Sequence, residues 1–275
     1  MESQMASVLN IAHRGARSLA PENTLAAARK AFEIGADLWE TDVAVTADEE
    51  LILLHDDSLA RTTDVAARFP GRAPWVVTTL ALARVRSLDA GTWFLETDPF
   101  GQIAAGKVTP AEQAAFRGEK IPTLREALAF TQEENWRVNL ELKRLPPPME
   151  GFPTAGRVLG LLDELGIETH RVIISSFEHD WLRDIHRRNP KIRVQALVRD
   201  LSIDCRGTKD PEFRTYNAWA PMVDEEQIRA AAETGIAVNL YTVNRKEDMD
   251  RFIAAGVAGL FTDFPQRLEA VLRQE

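Results

Sequence analysis

Five histidines occur in the chain, and two of them, His13 in IAHRG and His55 in LILLHDD, close short apolar runs. Imidazole titrates near pH ~6.5, the range wanted for a side chain that takes or gives a proton during catalysis. Either histidine alone is more often an ordinary polar residue at the end of a strand. Acids supply the second feature. Successive side chains of a strand alternate faces, so in LWETDV Glu40 and Asp42 go to one side while Trp39 and Thr41 go to the other. In VNLELKR the apolar Val138, Leu140 and Leu142 share one face, which leaves Asn139, Glu141 and Lys143 on the opposite one. If both runs belong to one barrel, the carboxylates of Glu40, Asp42 and Glu141 converge.

Such a group repels itself, by up to ~4 kcal/mol per pair at about 4 Å and an effective dielectric near ~20. All-oxygen donors with no thiolate cluster suit a hard cation, Mg²⁺ or Ca²⁺, better than zinc. Structural salt bridges to Arg14 and Lys143 are the alternative compensation. Three carboxylates with Arg14 and Lys143 carry a charge of about −1, which repels a phosphodiester of about −1; a divalent ion reverses the sign and turns repulsion into attraction.

Positioning these groups requires a repeating scaffold, and the chain has one. Helical patterns followed by a glycine and then a β-branched run end at Gly35, Gly166, Gly235 and Gly256. The first runs from Thr24 to Ile34, with Asn23 as its expected N-cap and Gly35 as a left-handed stop. Further helices are expected near 123–134, 155–165, 179–189, 225–234, 246–255 and 265–273; Thr123 with Glu126, and Asp224 with Gln227, have capping-box spacing. Strands are expected near 8–12, 37–44, 137–143, 171–176, 192–198, 216–220, 236–242 and 258–262. Eight strands alternating with amphipathic helices predict an α/β fold, a (β/α)8 TIM barrel spanning 1–275 as one domain. An open doubly wound sheet is the competing architecture, but no G-x-G-x-x-G loop follows the first strand.

The stretch Asp57 to Lys120 breaks this rhythm, is too long for an ordinary connection, and holds the turn signals FPGRAP and TDPFGQ. It is expected to be a small subdomain inserted after the second barrel strand, on the C-terminal face where barrel enzymes keep their sites. Its Trp75, Trp93, Phe94 and Phe100 are read first as the packing of a small subdomain, with an acyl-binding groove as the alternative. PPPMEGFP (146–153) is read as a second, proline-stiffened loop on that face.

With 33 Lys+Arg against 42 Asp+Glu the net charge is −9, so binding along a nucleic-acid duplex is a poor expectation. The only cysteine, Cys205, cannot form an intrachain disulfide, and a reducing, cytoplasmic location is the simpler expectation. The opening residues MESQMASVLNIAHRG lack the layout of a signal peptide, and FIAAGVAGLF (252–261) is far short of the ~18 apolar residues of a membrane span. His170, His179 and His186 are read as solvated, with His179 alone near the mouth.

The run HRGARSLAPENT (13–24), then E-T-D (40–42), then HDDSLARTTD (55–64) resembles the glycerophosphodiester phosphodiesterase family. IPTLREAL (121–128), NLELK (139–143), SSF (175–177), VNLYTVN (238–244) and TDFP (262–265) extend the resemblance over nearly the whole chain. It implies a barrel enzyme that hydrolyses glycerophosphodiesters to sn-glycerol 3-phosphate and an alcohol. Lysophospholipase D action on a lyso-lipid is the alternative. It also implies that Glu40, Asp42 and Glu141 bind one divalent cation, that His13 and His55 are the catalytic pair, and that Arg14 and Lys143 contact phosphate. Tyr241 stands where the family commonly has Trp, as a ligand-stacking position. Glu22 and Asn23 of PENT either support the site or begin a helix. The attacking oxygen is water or the glycerol 2-hydroxyl; His13 is taken as base and His55 as acid.

Overall fold

Alternation gives each strand-forming run an apolar row and a mixed row, and closing the runs into a ring puts the mixed rows inside. The computed structural model describes residues 8–201 and 213–273. Its strands are β1 (Leu9–Ala12), β2 (Leu38–Val45), β3 (Leu51–Leu53), β4 (Val138–Leu142), β5 (Val172–Ser176), β6 (Arg193–Val198), β7 (Thr215–Trp219), β8 (Ala237–Tyr241) and β9 (Gly259–Thr262). All but β3 pair in parallel in the order β1-β9-β8-β7-β6-β5-β4-β2, and a β1–β2 pairing closes the ring. This is the (β/α)8 barrel expected from the sequence. The short β3 was not: it folds back antiparallel on β2, pairing Val43 with Leu53. With three residues it is too short to carry a period.

Seven helices at the expected places cover the barrel, from Leu25–Ile34 to Pro265–Leu272. Their apolar stripes meet the outer row of the strands: Trp39, Val138, Leu140, Leu142, Val172 and Ile174 lie in one buried cluster with Leu124, Leu128, Val158 and Leu182. Each aliphatic side chain fully buried there contributes roughly 1.5–3 kcal/mol. The capping boxes Thr123/Glu126 and Asp224/Gln227 both form. The first helix is capped differently from the expectation: Thr24 accepts from the Ala27 amide, because Asn23 sits at φ 55 and spends its side chain elsewhere.

The segment 57–120 holds four short helices, Val65–Arg68, Leu82–Val85, Thr92–Thr97 and Pro110–Phe116. Phe94 packs edge-on against Phe116 and joins Leu19, Ala20 and Ala27, so the segment shares a core with the start of the first barrel helix. Among the described residues no helix is long and apolar enough to cross a membrane. Cys205 lies outside the described residues.

Candidate active site

Strand register brings the acids together. β2 and β4 pair with Glu40 beside Asn139 and Asp42 beside Glu141, so the inner rows of the two strands meet at the C-terminal end. One carboxylate oxygen from each of Glu40, Asp42 and Glu141 lies within 4.8 Å of the others. Trp39 points outward, as alternation requires, and donates its indole N–H to Thr131 at 3.2 Å.

The turn after β1 reaches over this nest. Arg14 (φ 57) and Gly15 (φ 82) both take left-handed conformations, which aims the Arg14 amide at Glu40 Oε2, 2.9 Å away. A Cβ on Gly15 would come within 2.6 Å of the Ala27 carbonyl carbon, so only glycine allows the turn to press this closely on the helix. Glu40 Oε1 is buried and has no hydrogen-bond partner. Asp42 is better supplied: Lys143 Nζ lies 3.0 Å from Oδ1, Asn23 Nδ2 donates to Oδ2 at 2.9 Å, and Arg14 Nε stands 3.3 Å from the same oxygen, paired in charge but not aligned as a hydrogen bond. Asn23 in turn accepts from the Thr41 hydroxyl at 2.7 Å.

The three acids therefore differ. Burial pushes all of them up, but Lys143 and Arg14 overcome it at Asp42 and hold that carboxyl far below the usual range. At Glu40 burial and the Asp42 charge prevail and the pKa is raised; at Glu141 the same two causes bring it to about 7. Two of three carboxylates thus lack enough positive charge to stay ionised comfortably. Hard oxygen donors within 4.8 Å, one of them buried and unpartnered, fit a divalent cation.

Each strand-end histidine has a carboxylate on Nδ1. His13, at the end of β1, bonds Asp263 at 2.7 Å, just past β9; Asp263 also accepts from Asn244 at 2.7 Å. Burial, with the Arg14 charge, lowers the His13 pKa below its ordinary value. His55 bonds Asp56 at 2.7 Å, and its carbonyl accepts from Lys143 at 2.6 Å. In both rings the Nδ1 bond leaves Nε2 for chemistry.

Sequence reasoning missed the network behind these groups. Glu22, 5% exposed, accepts from Arg14 at 2.9 Å, Arg17 at 2.7 Å and Arg61 at 2.7 Å. Burial opposes its ionisation, but the three guanidiniums bring the pKa down to about 2. PENT was the only signal for Glu22; Arg17, Asp56, Arg61 and Asp263 lie inside the motifs that carry the family resemblance, but nothing in their spacing showed which groups they would hold. Tyr241, half-buried, donates its hydroxyl to the Val198 carbonyl at 2.9 Å; burial, then Glu141, raises its pKa to about 12. His179 is not solvated as expected: it is partly buried, with Nε2 3.0 Å from the Leu197 carbonyl. A cavity of about 800 Å³ opens near Arg137, Arg193 and Arg214 at the N-terminal ends of the strands, away from the acids.

The family profile of the glycerophosphoryl diester phosphodiesterases matches residues 13–267. This chain belongs to that family. A glycerophosphodiester phosphodiesterase of Caldanaerobacter subterraneus subsp. tengcongensis is 33% identical over 97% of this chain and 98% of its own. One of Bacillus subtilis is 31% identical over 96% of this chain and 86% of its own. The solved structure of an Oleispira antarctica phosphodiesterase in complex with the product sn-glycerol-3-phosphate is 26% identical, covers 96% of each chain and superposes with a TM-score of 0.79. Family membership extends from His13 past Asp263, so the nest of acids, both histidines and the carboxylates behind them all lie inside the matched region.

Proposed function

We propose that this protein is a divalent-cation-dependent hydrolase that cleaves glycerophosphodiesters into sn-glycerol 3-phosphate and an alcohol, with His13 and His55 moving the protons. The observation that carries this reading is the nest of Glu40, Asp42 and Glu141, whose oxygens approach within 4.8 Å while Glu40 Oε1 stays buried and unpartnered. A Mg²⁺ or Ca²⁺ ion held there supplies positive charge to a nonbridging phosphoryl oxygen when bound.

Arg14 and Lys143 face the same region and add cationic charge where phosphate charge grows. Both are pre-oriented, Arg14 by Glu22 and Lys143 by Asp42 and the His55 carbonyl, so little reorganisation is needed when substrate arrives. His13 is the better base: Asp263 holds its Nδ1 proton, and the lowered pKa keeps Nε2 unprotonated near neutral pH. His55 then gives a proton to the departing alkoxide, its ring oriented by Asp56. A positioned acid or base contributes about 10²- to 10⁴-fold, so cation and positioning must supply the remainder.

Phosphorus NMR of the products formed from glycerophosphocholine tests this reading. The expected phosphorus product is sn-glycerol 3-phosphate; phosphocholine would place cleavage on the other side of phosphorus and refute it. A lyso-lipid diester is the second reading. Phe177, Trp219 and Met222, 48%, 43% and 50% exposed, lie at or just past the C-terminal ends of β5 and β7 and offer apolar surface on the mouth face. Faster cleavage of lysophosphatidylcholine than of glycerophosphocholine would favour it.

A further inference from the structure

Arg61 lies outside the acids, cations and histidines placed in the reaction, yet one guanidinium there joins two of their supports. Its Nη1 and Nη2 donate to Glu22 Oε2 and Oε1 at 3.0 and 2.7 Å, while Nε and Nη2 donate to Asp56 Oδ2 and Oδ1 at 2.6 and 3.1 Å. Glu22 is the carboxylate that holds Arg14, and Asp56 is the one that holds His55. The ring of Trp93 lies 5.9 Å from the guanidinium carbon. Exposed ion pairs ordinarily contribute little. Here one partner is buried, and two edges of a planar fork are used at once, a geometry that an ammonium cannot reproduce.

We propose that Arg61, carried by the 57–120 segment, is a positioning residue that locks Asp56, and through it the His55 imidazole, against the Glu22 anchor of Arg14. This rests on the reading of His55 as a catalytic group. Asp56 has no other side-chain donor among the described residues than His55 and Arg61. Without the guanidinium its carboxylate can rotate, and the imidazole it orients is no longer fixed relative to the substrate. The segment then contributes to turnover through orientation, with Trp93 backing the clamp.

The test uses Arg61→Ala and Arg61→Lys in the full chain, with glycerophosphocholine as substrate. Both variants should lose about 10- to 100-fold in kcat, the scale of a small misplacement of a reacting group, while KM changes less than about threefold. Added guanidinium should restore part of the lost kcat in Arg61→Ala and none in Arg61→Lys, whose side chain fills the site. Imidazole ¹⁵N spectra, with His55 assigned by its own substitution, should show one tautomer in wild type and a mixture in both variants. A kcat within twofold of wild type in both variants overturns the proposal. So does a loss that guanidinium does not relieve, with the His55 tautomer unchanged. Should Arg61→Ala fail to fold, Arg61→Lys carries the kcat and ¹⁵N readouts alone. A wild-type protein that cleaves no glycerophosphodiester would instead defeat the reading of the site, while the ¹⁵N comparison would still decide whether Arg61 fixes His55.

Discussion

Replacing Glu22 by Gln removes the charge that three guanidiniums share, and the structure sets how much that should cost. The carboxylate is 5% exposed and accepts from Arg14, Arg17 and Arg61 at 2.7 to 3.0 Å. Burial alone would raise its pKa, yet the cations lower it from 4.5 to about 2. At about 1.36 kcal/mol per unit, ionisation in place is worth roughly 3 kcal/mol. A chain of 275 residues unfolds with about 2 cal/mol/K of entropy per residue, so Glu22→Gln should melt about 5 °C below wild type. The pH dependence follows from the direction of the shift. Because the folded-state pKa is depressed, the stabilisation is complete above the unfolded value of 4.5 and is lost as pH falls toward about 2. Urea unfolding should show a gap between wild type and variant of roughly 3 kcal/mol near pH 7, narrowing to about half that at pH 3. A variant as stable as wild type, or a gap that stays constant with pH, would refute the role of Glu22 as the anchor of the three arginines.

Three further outcomes are expected. His13→Asn and His55→Asn should each reduce turnover by at least about 100-fold while calorimetry finds the affinity for Mg²⁺ or Ca²⁺ within a few-fold of wild type; full activity in either variant removes that histidine from the mechanism. Asp263→Asn should lower kcat by about 10-fold or more with little change in KM, since the His13 ring loses its 2.7 Å carboxylate partner; an unchanged kcat would contradict that orientation. Gly15→Ala should destabilise by about 1–3 kcal/mol in urea unfolding, because φ is 82 and the new Cβ meets Ala27 at 2.6 Å; a stability equal to wild type would mean the turn can move off the helix.

What the sequence disclosed follows the range of the interactions involved. Period-two alternation in LWETDV and VNLELKR was enough to place Glu40, Asp42 and Glu141 on inner faces, because strand geometry fixes that pattern locally. Glycine stops and capping boxes located the barrel helices within a residue or two for the same reason. Asn23 and Thr24 show where local rules fail: both are good caps, and the choice went to Thr24 because Asp42, in a strand 19 residues away, claims the Asn23 side chain. The network behind the histidines was illegible on stronger grounds. His13 and Asp263 are separated by 250 residues and meet only because β9 closes the barrel against β1. Arg61 and Glu22 meet across a segment whose four short helices carry too few turns to show a period.

The claim on which everything rests is that three carboxylates from two strands hold a cation that the reaction needs. Sn-glycerol 3-phosphate release from glycerophosphocholine, followed by phosphorus NMR on protein stripped with chelator and then supplied with Mg²⁺ or Ca²⁺, measures this directly. The expected result is no product after stripping, recovery on adding one of the ions, and no recovery in Glu141→Gln. Undiminished product release from the stripped protein would contradict it.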